Sequence, residues 1–427
     1  MPKASHADSF YAASSNAQPD YPELEGDLSV DVCIVGAGIT GCSAALHLAE
    51  RGYSVAVIEA ERVGWGASGR SGGQKIFGFG CDMSKLRRLV GQEDARRLWD
   101  MSIESVELLD NLVARHSIDC DLANGHLHAA IKPRQQRELE HWHEELSRDY
   151  GYDGIEILTG ERLRAVVNTE EYIAGLFDPR SGHVHPLNYT LGLAEAARQA
   201  GARFFEGTPA TRIERGTNPS VQTPKGRVQA RQVLLCANAH LDALVPKLWR
   251  RIMPVGTYIV ATEPLGESRA QELLPTNAAV ADINFVLDYY RLSADHRMLY
   301  GGRVSYSKIE PLSIRNSIRA RMVKVFPQLR DVRIDYAWGG YVAITENRAP
   351  HFGRLEPDIY FAQGFSGHGI ALCGLAGKLM AEAIAGTAER FDVFARIPHL
   401  PFPGGRWFRT PALVLAMAWF RLRDMMP

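Results

Sequence analysis

"CIVGAGITGCSAALHL", Cys33 to Leu48, decides how the chain begins to fold. Gly36, Gly38 and Gly41 stand in the spacing GxGxxG. The apolar run Val30 to Val35 before them reads as a buried strand, and Ile39 to Arg51 after them reads as a helix. Gly52 is placed to end that helix. Tyr53 to Ile58 is a second strand, and Glu59 closes it. Glycines alone are a weak signal. A strand before, a helix after and an acid at the end of the next strand make a strong one.

Each residue has its own physical task. Gly36 permits the tight turn, Gly38 lets backbone approach a pyrophosphate, and Gly41 lets the helix lie against the strand. Ile39 and Thr40 open the helix, whose free N–H groups and partial positive charge favour phosphate. Glu59 and Ala60 sit where a carboxylate accepts hydrogen bonds from ribose hydroxyls. Its charge disfavours a 2′-phosphate. The ligand is therefore a dinucleotide: a nicotinamide that comes and goes, or a flavin that stays.

The next stretch bears on that choice. "EAERVGWGASGRSGGQ", Glu59 to Gln74, is dense in glycine and small residues. A nicotinamide enzyme normally continues into another strand and helix here. The glycines predict backbone packed against a large planar ligand. Near the other end, "YFAQGFSGHGIALCGLAGKLMAEAI", Tyr360 to Ile384, reads as strand, glycine turn and helix. A helix N-terminus beside a flavin ring stabilises the negative charge of its reduced form.

The bulk properties fit an enzyme of this kind. The chain has 427 residues, 46% apolar and 23% charged, with net charge −1. That length suits two domains. No strongly basic face is implied, so a nucleic-acid partner is not expected. The six cysteines form no CxxC pair, and no zinc spacing is present, so no metal is expected. Their use fits a reducing cytoplasm. The polar residues 1–27 read as a leader without a signal-peptide core. No apolar run reaches the roughly 18 residues of a membrane span. "PALVLAMAWF", Pro411 to Phe420, reads as a helix packed on the body, or less readily as a membrane-docking one.

Other elements follow from pattern. A long amphipathic helix is predicted from Ser84 to Arg115, and another from Val184 to Ala200 with His185-Pro186 at its mouth. Arg203 to Glu214, Val221 to Ala230, Gln232 to Ala237, Arg251 to Glu263 and Arg297 to Tyr306 alternate like strands. Gly369 to Ile384 is helical.

These stretches together resemble the FAD-dependent amine oxidoreductases of the D-amino-acid oxidase superfamily, which includes sarcosine and glycine oxidases. The resemblance rests on "SFYAASSN" (Ser9 to Asn16), the glycine loop, "GWGASGRSGGQ", "GHVHPLNY", "LDYYRLSADHRMLYGG", "PHFGRL", "GFSGHG" and "ERFDVFARIPHLPFPGG". The DYYRLSADHRMLYGG and PHLPFPGG stretches resemble the polyamine-catabolic branch. The resemblance implies an α/β fold: a Rossmann-like FAD-binding domain interleaved with an α+β substrate domain on an antiparallel sheet. The first would take residues 28–118, 185–243 and 337–400, the second 119–184 and 244–336, leaving a tail at 401–427.

By the same resemblance, Gly36, Gly38, Ile39, Thr40, Gly41, Glu59, Ala60, Ser68, Gly69, Arg70, Gly73 and Gln74 would line the FAD site. Ala210 would touch the adenine side, and Gly340, Gly367, His368 and Gly369 the ring. Sarcosine oxidases join flavin covalently through a cysteine. The matching stretch Tyr336 to Gly353 has none and carries Gly340 at the position, which implies non-covalent FAD. No lysine replaces Met298, Leu299 or Tyr300, where some oxidases place one to speed oxygen. The electron acceptor is thus oxygen or another partner. The implied reaction is oxidation of an amine C–N bond, of a γ-glutamyl-polyamine or of an amino acid or N-methyl amine. A non-catalytic flavoprotein is the alternative of another class. His368 would act as charge partner to reduced flavin or through its backbone. Tyr290 and Arg291, with Tyr289, would line the substrate pocket, and Arg291 would hold a carboxylate. The protein would be a monomer or small homo-oligomer.

Overall fold

The computed structural model describes residues 5–284, 286–305 and 314–403. The expected helix at Pro411 to Phe420 lies outside them. Two sheets carry the structure.

The first runs His351–Glu356, Ile359–Gln363, Gly226–Leu235, Leu28–Val35, Val55–Ile58, Arg203–Phe205. Its four central junctions are parallel, with Val35 beside both Ile58 and Leu235. Parallel strands covered on both faces are continuous apolar runs, as Val55–Ile58 is, buried at every position. The chain goes from Leu28–Val35 outward to Val55–Ile58 and Arg203–Phe205, then returns to the other side of Leu28–Val35. Strand order reverses there, and such a reversal opens a crevice beyond the carboxyl ends of the strands.

Helix Ile39–Ala49 packs on this sheet and against helices Pro186–Gln199 and Gly369–Ile384. Small residues allow it. A Cβ on Gly377 would lie 2.5 Å from the Ala44 nitrogen. Ser43 Oγ donates to the Gly374 carbonyl at 2.7 Å. Helix Ile39–Ala49 is buried throughout, so it is held by packing and not by an exposed polar face.

The second sheet runs Ile334–Ile344, Met253–Thr262, Met298–Ser305, Tyr289–Leu292, Ala279–Asp282, Ala123–Ala130, Ala174–His183, Gln74–Lys75, with Glu156–Thr159 on the edge of Ala174–His183. All its pairs are antiparallel except Ala279–Asp282 with Ala123–Ala130. The chain alternates between the sheets, as the resemblance implies. Ile334–Ile344 stays in the second sheet past the expected crossing at 337.

Four sequence expectations change. Arg203 to Glu214 is two strands, Arg203–Phe205 beside Val55–Ile58 and Arg212–Glu214 paired with Ser220–Thr223. The long helix is interrupted: Gly91, at φ +84°, breaks Met83–Arg115 into two. Val221 to Ala230 is not one strand. A turn at Pro224-Lys225 separates Ser220–Thr223 from Gly226–Leu235, because proline cannot continue the ladder. The leader is part of the body. Helix Phe10–Ala13, capped by Ser9, puts Tyr11 out of contact with solvent. Tyr11 packs edge-on against His185 and Trp338, at 4.9 and 5.2 Å. Asn16 binds the Asn188 side chain. Two aromatic side chains amid polar residues were the signal.

Candidate cofactor and active site

The crevice predicted by strand order is a cavity of about 730 Å³, a size suited to a bound small molecule. Its wall is made of the residues at and just past the end of each central strand: Val35-Gly36, Ile58-Glu59, Cys236 to Asn238, and Phe365 to Gly367.

The glycine loop is shaped by close approach. A Cβ on Gly36 would meet the Cys236 carbonyl at 3.0 Å, and one on Gly41 would lie 2.0 Å from the Gly36 oxygen. Gly36 needs glycine for its φ of +104° as much as for space, and at Gly41 no side chain fits, so helix and loop close only with glycine. Gly38 faces Ser68, whose Oγ accepts from the Ile39 N–H at 3.0 Å. Ser68 thus stands at the helix N-terminus where phosphate is favoured.

Glu59 is aimed by backbone. Its Oε2 accepts from the Ala37 N–H at 2.8 Å and its Oε1 from the Glu61 N–H at 3.0 Å. Burial pushes the carboxyl up, and these two N–H groups pull it back. Each oxygen keeps a lone pair for a hydroxyl. Carboxylate, glycine loop and helix end together make a cradle for a dinucleotide.

Of the expected cofactor residues, Gly36, Gly38, Ile39, Thr40, Glu59, Ala60, Ser68, Ala210, Gly367 and Gly369 are on the cavity wall. Gly41 and Gly69 shape the turns behind it; a Cβ on Gly69 would lie 2.3 Å from the Gly64 oxygen. Arg70 stacks on Trp65 at 4.2 Å, and its Nε donates to the Trp65 carbonyl. Its own carbonyl accepts from Trp338 Nε1 at 2.9 Å. It latches the loop to strand Ile334–Ile344, where a Cβ on Gly340 would meet the Arg70 side chain at 3.1 Å. Gln74 donates to the Val280 carbonyl at 3.0 Å.

The second glycine run is only partly what the sequence suggested. Gly66, Ala67, Ser68 and Ser71 face the cavity. Gly72 faces the Tyr289 ring, 2.7 Å from its would-be Cβ, and Gly73 faces the Val184 carbonyl at 2.2 Å. These last glycines accommodate protein and not ligand. The loop threads between the two sheets.

The expected substrate pair is corrected. Tyr290 and Arg291 are neighbours on a strand, so they point to opposite faces. Tyr290 stacks on Tyr300 at 5.2 Å and meets the Tyr172 hydroxyl, in an apolar cluster with Tyr258, Val280 and Phe326 on one face of the second sheet. Arg291 is buried with its donors spent. Nε donates to the Gly72 carbonyl, Nη1 to Leu292, and Nη2 to Val184 and the Tyr11 hydroxyl, at 2.9 to 3.1 Å. Four of its five N–H groups are committed, which leaves no bidentate face for a carboxylate.

His368 precedes helix Gly369–Ile384 without its side chain capping it. Burial, with His128 and Arg348, holds it down at about 3. It is neutral at pH 7, so the helix end and not an imidazolium supplies positive character. His185 orders the start of helix Pro186–Gln199 as its position suggested: Nδ1 accepts from the Asn188 N–H at 3.1 Å.

The sequence missed Trp65, Pro209, Cys236 to Asn238, His240, Tyr341 to Ala343 and Phe365-Ser366 on the wall. The "CANAH" after strand Gly226–Leu235 was the available signal, small residues at the end of a buried strand.

The model of the FAD dependent oxidoreductase family matches residues 31–383. The chain belongs to that family. FAD is its cofactor, and the cradle fits it. Along 98% of both chains, it is 44% identical to γ-glutamylputrescine oxidoreductase of Escherichia coli strain K12. It is 41% identical to a probable oxidoreductase, OrdL, of Haemophilus influenzae, over 98% of this chain and 97% of that one. Among solved structures, glycine oxidase from Bacillus cereus superposes with a TM-score of 0.70 at 23% identity, over 87% of this chain and 99% of that one. L-proline dehydrogenase from P. horikoshii gives 0.69 at 23%, over 84% and 94%. These two solved structures share the fold. Among the described residues no helix is long and apolar enough to cross a membrane.

Proposed function

We propose that the protein oxidises the terminal primary amine of γ-glutamylputrescine, or of a related γ-glutamyl-polyamine, to an aldehyde with release of ammonia. The observation that carries this reading is the 44% identity, over 98% of both chains, to an enzyme named for that substrate. FAD, when bound, supplies the two-electron acceptor for the C–N bond.

The chain's own residues have the remaining tasks. An ammonium has no lone pair to assist departure of hydride, so the amine must react as its free base. A free alkylamine titrates near 10.4. A buried, uncharged surrounding lowers that value. The N-terminus of helix Gly369–Ile384 opens on the cavity and favours negative charge there. Val342 and the buried Phe365 give the same region apolar wall.

FAD is held without a covalent bond in this reading. Burial pushes the wall thiols of Cys236 and Cys373 up, that of Cys373 to about 12, so neither offers a thiolate. Oxygen or another acceptor then takes the electrons, in a cytoplasmic enzyme.

Product analysis tests the proposal. Incubation with γ-glutamylputrescine and a dye acceptor yields aldehyde and ammonia in equal amounts, with little from free putrescine. Turnover of glycine or sarcosine alone would move the protein to the amino-acid side of the family.

A further inference from the structure

We propose that the segment Ser5 to Asn16 is a clasp that sets the loop Trp65 to Ser71 against the cofactor cavity, with Tyr11 as its positioning residue. The inference concerns the hold on FAD and does not depend on which amine is oxidised.

The segment is fastened at its far end. Ser14 Oγ donates to the Phe10 carbonyl at 2.7 Å and lies 3.1 Å from His185 Nε2. His185 Nδ1 accepts from the Asn188 N–H, and burial with the Arg291 charge holds the ring down at about 3. The ring is therefore neutral at pH 7, carries its hydrogen on Nε2 and donates it to Ser14. The Asn16 N–H donates to the Asn188 side chain at 2.9 Å, and Asn16 Nδ2 to the Asp119 carbonyl at 2.8 Å. These bonds tie the segment to the start of helix Pro186–Gln199.

Its two aromatic rings reach the loop through one strand. Tyr336, Trp338 and Gly340 alternate onto one face of Ile334–Ile344. Phe10 lies edge-on to Tyr336 at 6.1 Å, and Tyr11 edge-on to Trp338 at 5.2 Å. The next position is Gly340, where a Cβ would meet the Arg70 side chain at 3.1 Å. Segment and loop thus lie side by side on the same strand. Trp338 joins them, because its Nε1 donates to the Arg70 carbonyl at 2.9 Å. Tyr11 is held in turn by Arg291, whose Nη2 donates to its hydroxyl at 3.1 Å. At the other end of the loop, Trp65 Nε1 donates to the Ser5 carbonyl at 3.2 Å.

The front of the same loop is cavity wall. Trp65, Gly66, Ala67, Ser68 and Ser71 all line it. Ser68 Oγ accepts from the Ile39 N–H at the start of the phosphate-favouring helix. Ser71, next to the held Arg70, has a buried hydroxyl with no hydrogen-bond partner among the described residues. Such a group is met by ligand or water. The wall residues between Trp65 and Arg70 are small, so they have little side chain of their own to hold them in place. What stands behind them decides where they stand. A wall fixed beforehand loses less freedom when a ligand binds, and the ligand is held longer for it.

The test dilutes FAD-loaded protein and follows FAD release by the rise in flavin fluorescence, with a urea melt of each variant beside it. Tyr11→Ala removes the ring behind Trp338 and speeds release at least about ten-fold. Trp338→Phe keeps a ring against Tyr11 but leaves the Arg70 carbonyl without its donor, and speeds release about ten-fold. Tyr11→Phe keeps the ring and loses the Arg291 bond. It lowers the urea midpoint and leaves release within about two-fold of the unaltered protein. A merely structural Tyr11 would not separate midpoint from release in this way. Release unchanged in Tyr11→Ala or in Trp338→Phe would overturn the proposal. So would Tyr11→Phe releasing FAD as fast as Tyr11→Ala, since the Arg291 bond and not the ring would then hold the loop. Should Tyr11→Ala fail to fold, Trp338→Phe decides alone.

Discussion

The two glycine-rich stretches look alike in sequence and do different work. In Gly36 to Gly41, glycine lets backbone close on backbone so that a helix end and a carboxylate face the cavity. In Gly64 to Gly73, Gly66 faces the same cavity, while Gly64, Gly72 and Gly73 make room for Leu187, Tyr289 and Val184. Glycine density reports that something comes close. What comes close depends on partners remote in the chain.

Substitutions separate the two kinds of approach. The largest effect is expected at Gly41→Val, where the new side chain would start 2.0 Å from the Gly36 oxygen. Strand and helix must part, so FAD retention should be lost and stability should fall by more than about 4 kcal/mol. Flavin absorbance per protein and a urea melt measure both. Gly73→Ala should behave differently. At φ +72°, and 2.2 Å from the Val184 carbonyl, it costs about 3 kcal/mol, yet the folded fraction binds FAD with near-native affinity. Equal loss of FAD in the two variants would erase the distinction.

Arg291→Met sharpens the same contrast on the protein-facing side. It strands the carbonyls of Gly72, Leu292 and Val184 and the Tyr11 hydroxyl, a loss of about 3 kcal/mol. The dissociation constant for substrate should stay within about two-fold. A stable variant with a hundred-fold weaker substrate would restore the carboxylate-clamp reading.

The smallest effect, per residue, is in pH. His128, His183, His185 and His368 titrate at about 3 to 4 when folded, because burial disfavours their charge. Unfolded, they titrate near 6.5. Between those values the unfolded chain binds more protons, so stability falls as pH falls. Each should cost about 1 kcal/mol between pH 7 and 5.5. Urea midpoints across that range should drop steeply, and His183→Asn should flatten the drop.

The same division explains what the sequence could show. Strand Leu28–Val35, the start of helix Ile39–Ala49 and helix Gly369–Ile384 were legible because their signals are local: a run, a period, a glycine at each end. The cradle residues on those elements were legible with them. Tyr290 and Arg291 were not, because strand alternation and the pairing of Tyr289–Leu292 with its neighbours decide their faces. The leader looked unstructured because Tyr11 finds its partners, Arg291 and Trp338, hundreds of positions away. The wall residues from Cys236 and Tyr341 onward face the cavity through strand order; "CANAH" marks the end of a buried strand but not which strands lie beside it.

The most direct measurement is anaerobic mixing of the FAD-loaded protein with γ-glutamylputrescine, followed at the flavin absorbance band. Fast and complete bleaching is predicted, with slow bleaching by putrescine and none by glycine or sarcosine. Bleaching by glycine or sarcosine and not by γ-glutamylputrescine would contradict the proposed function.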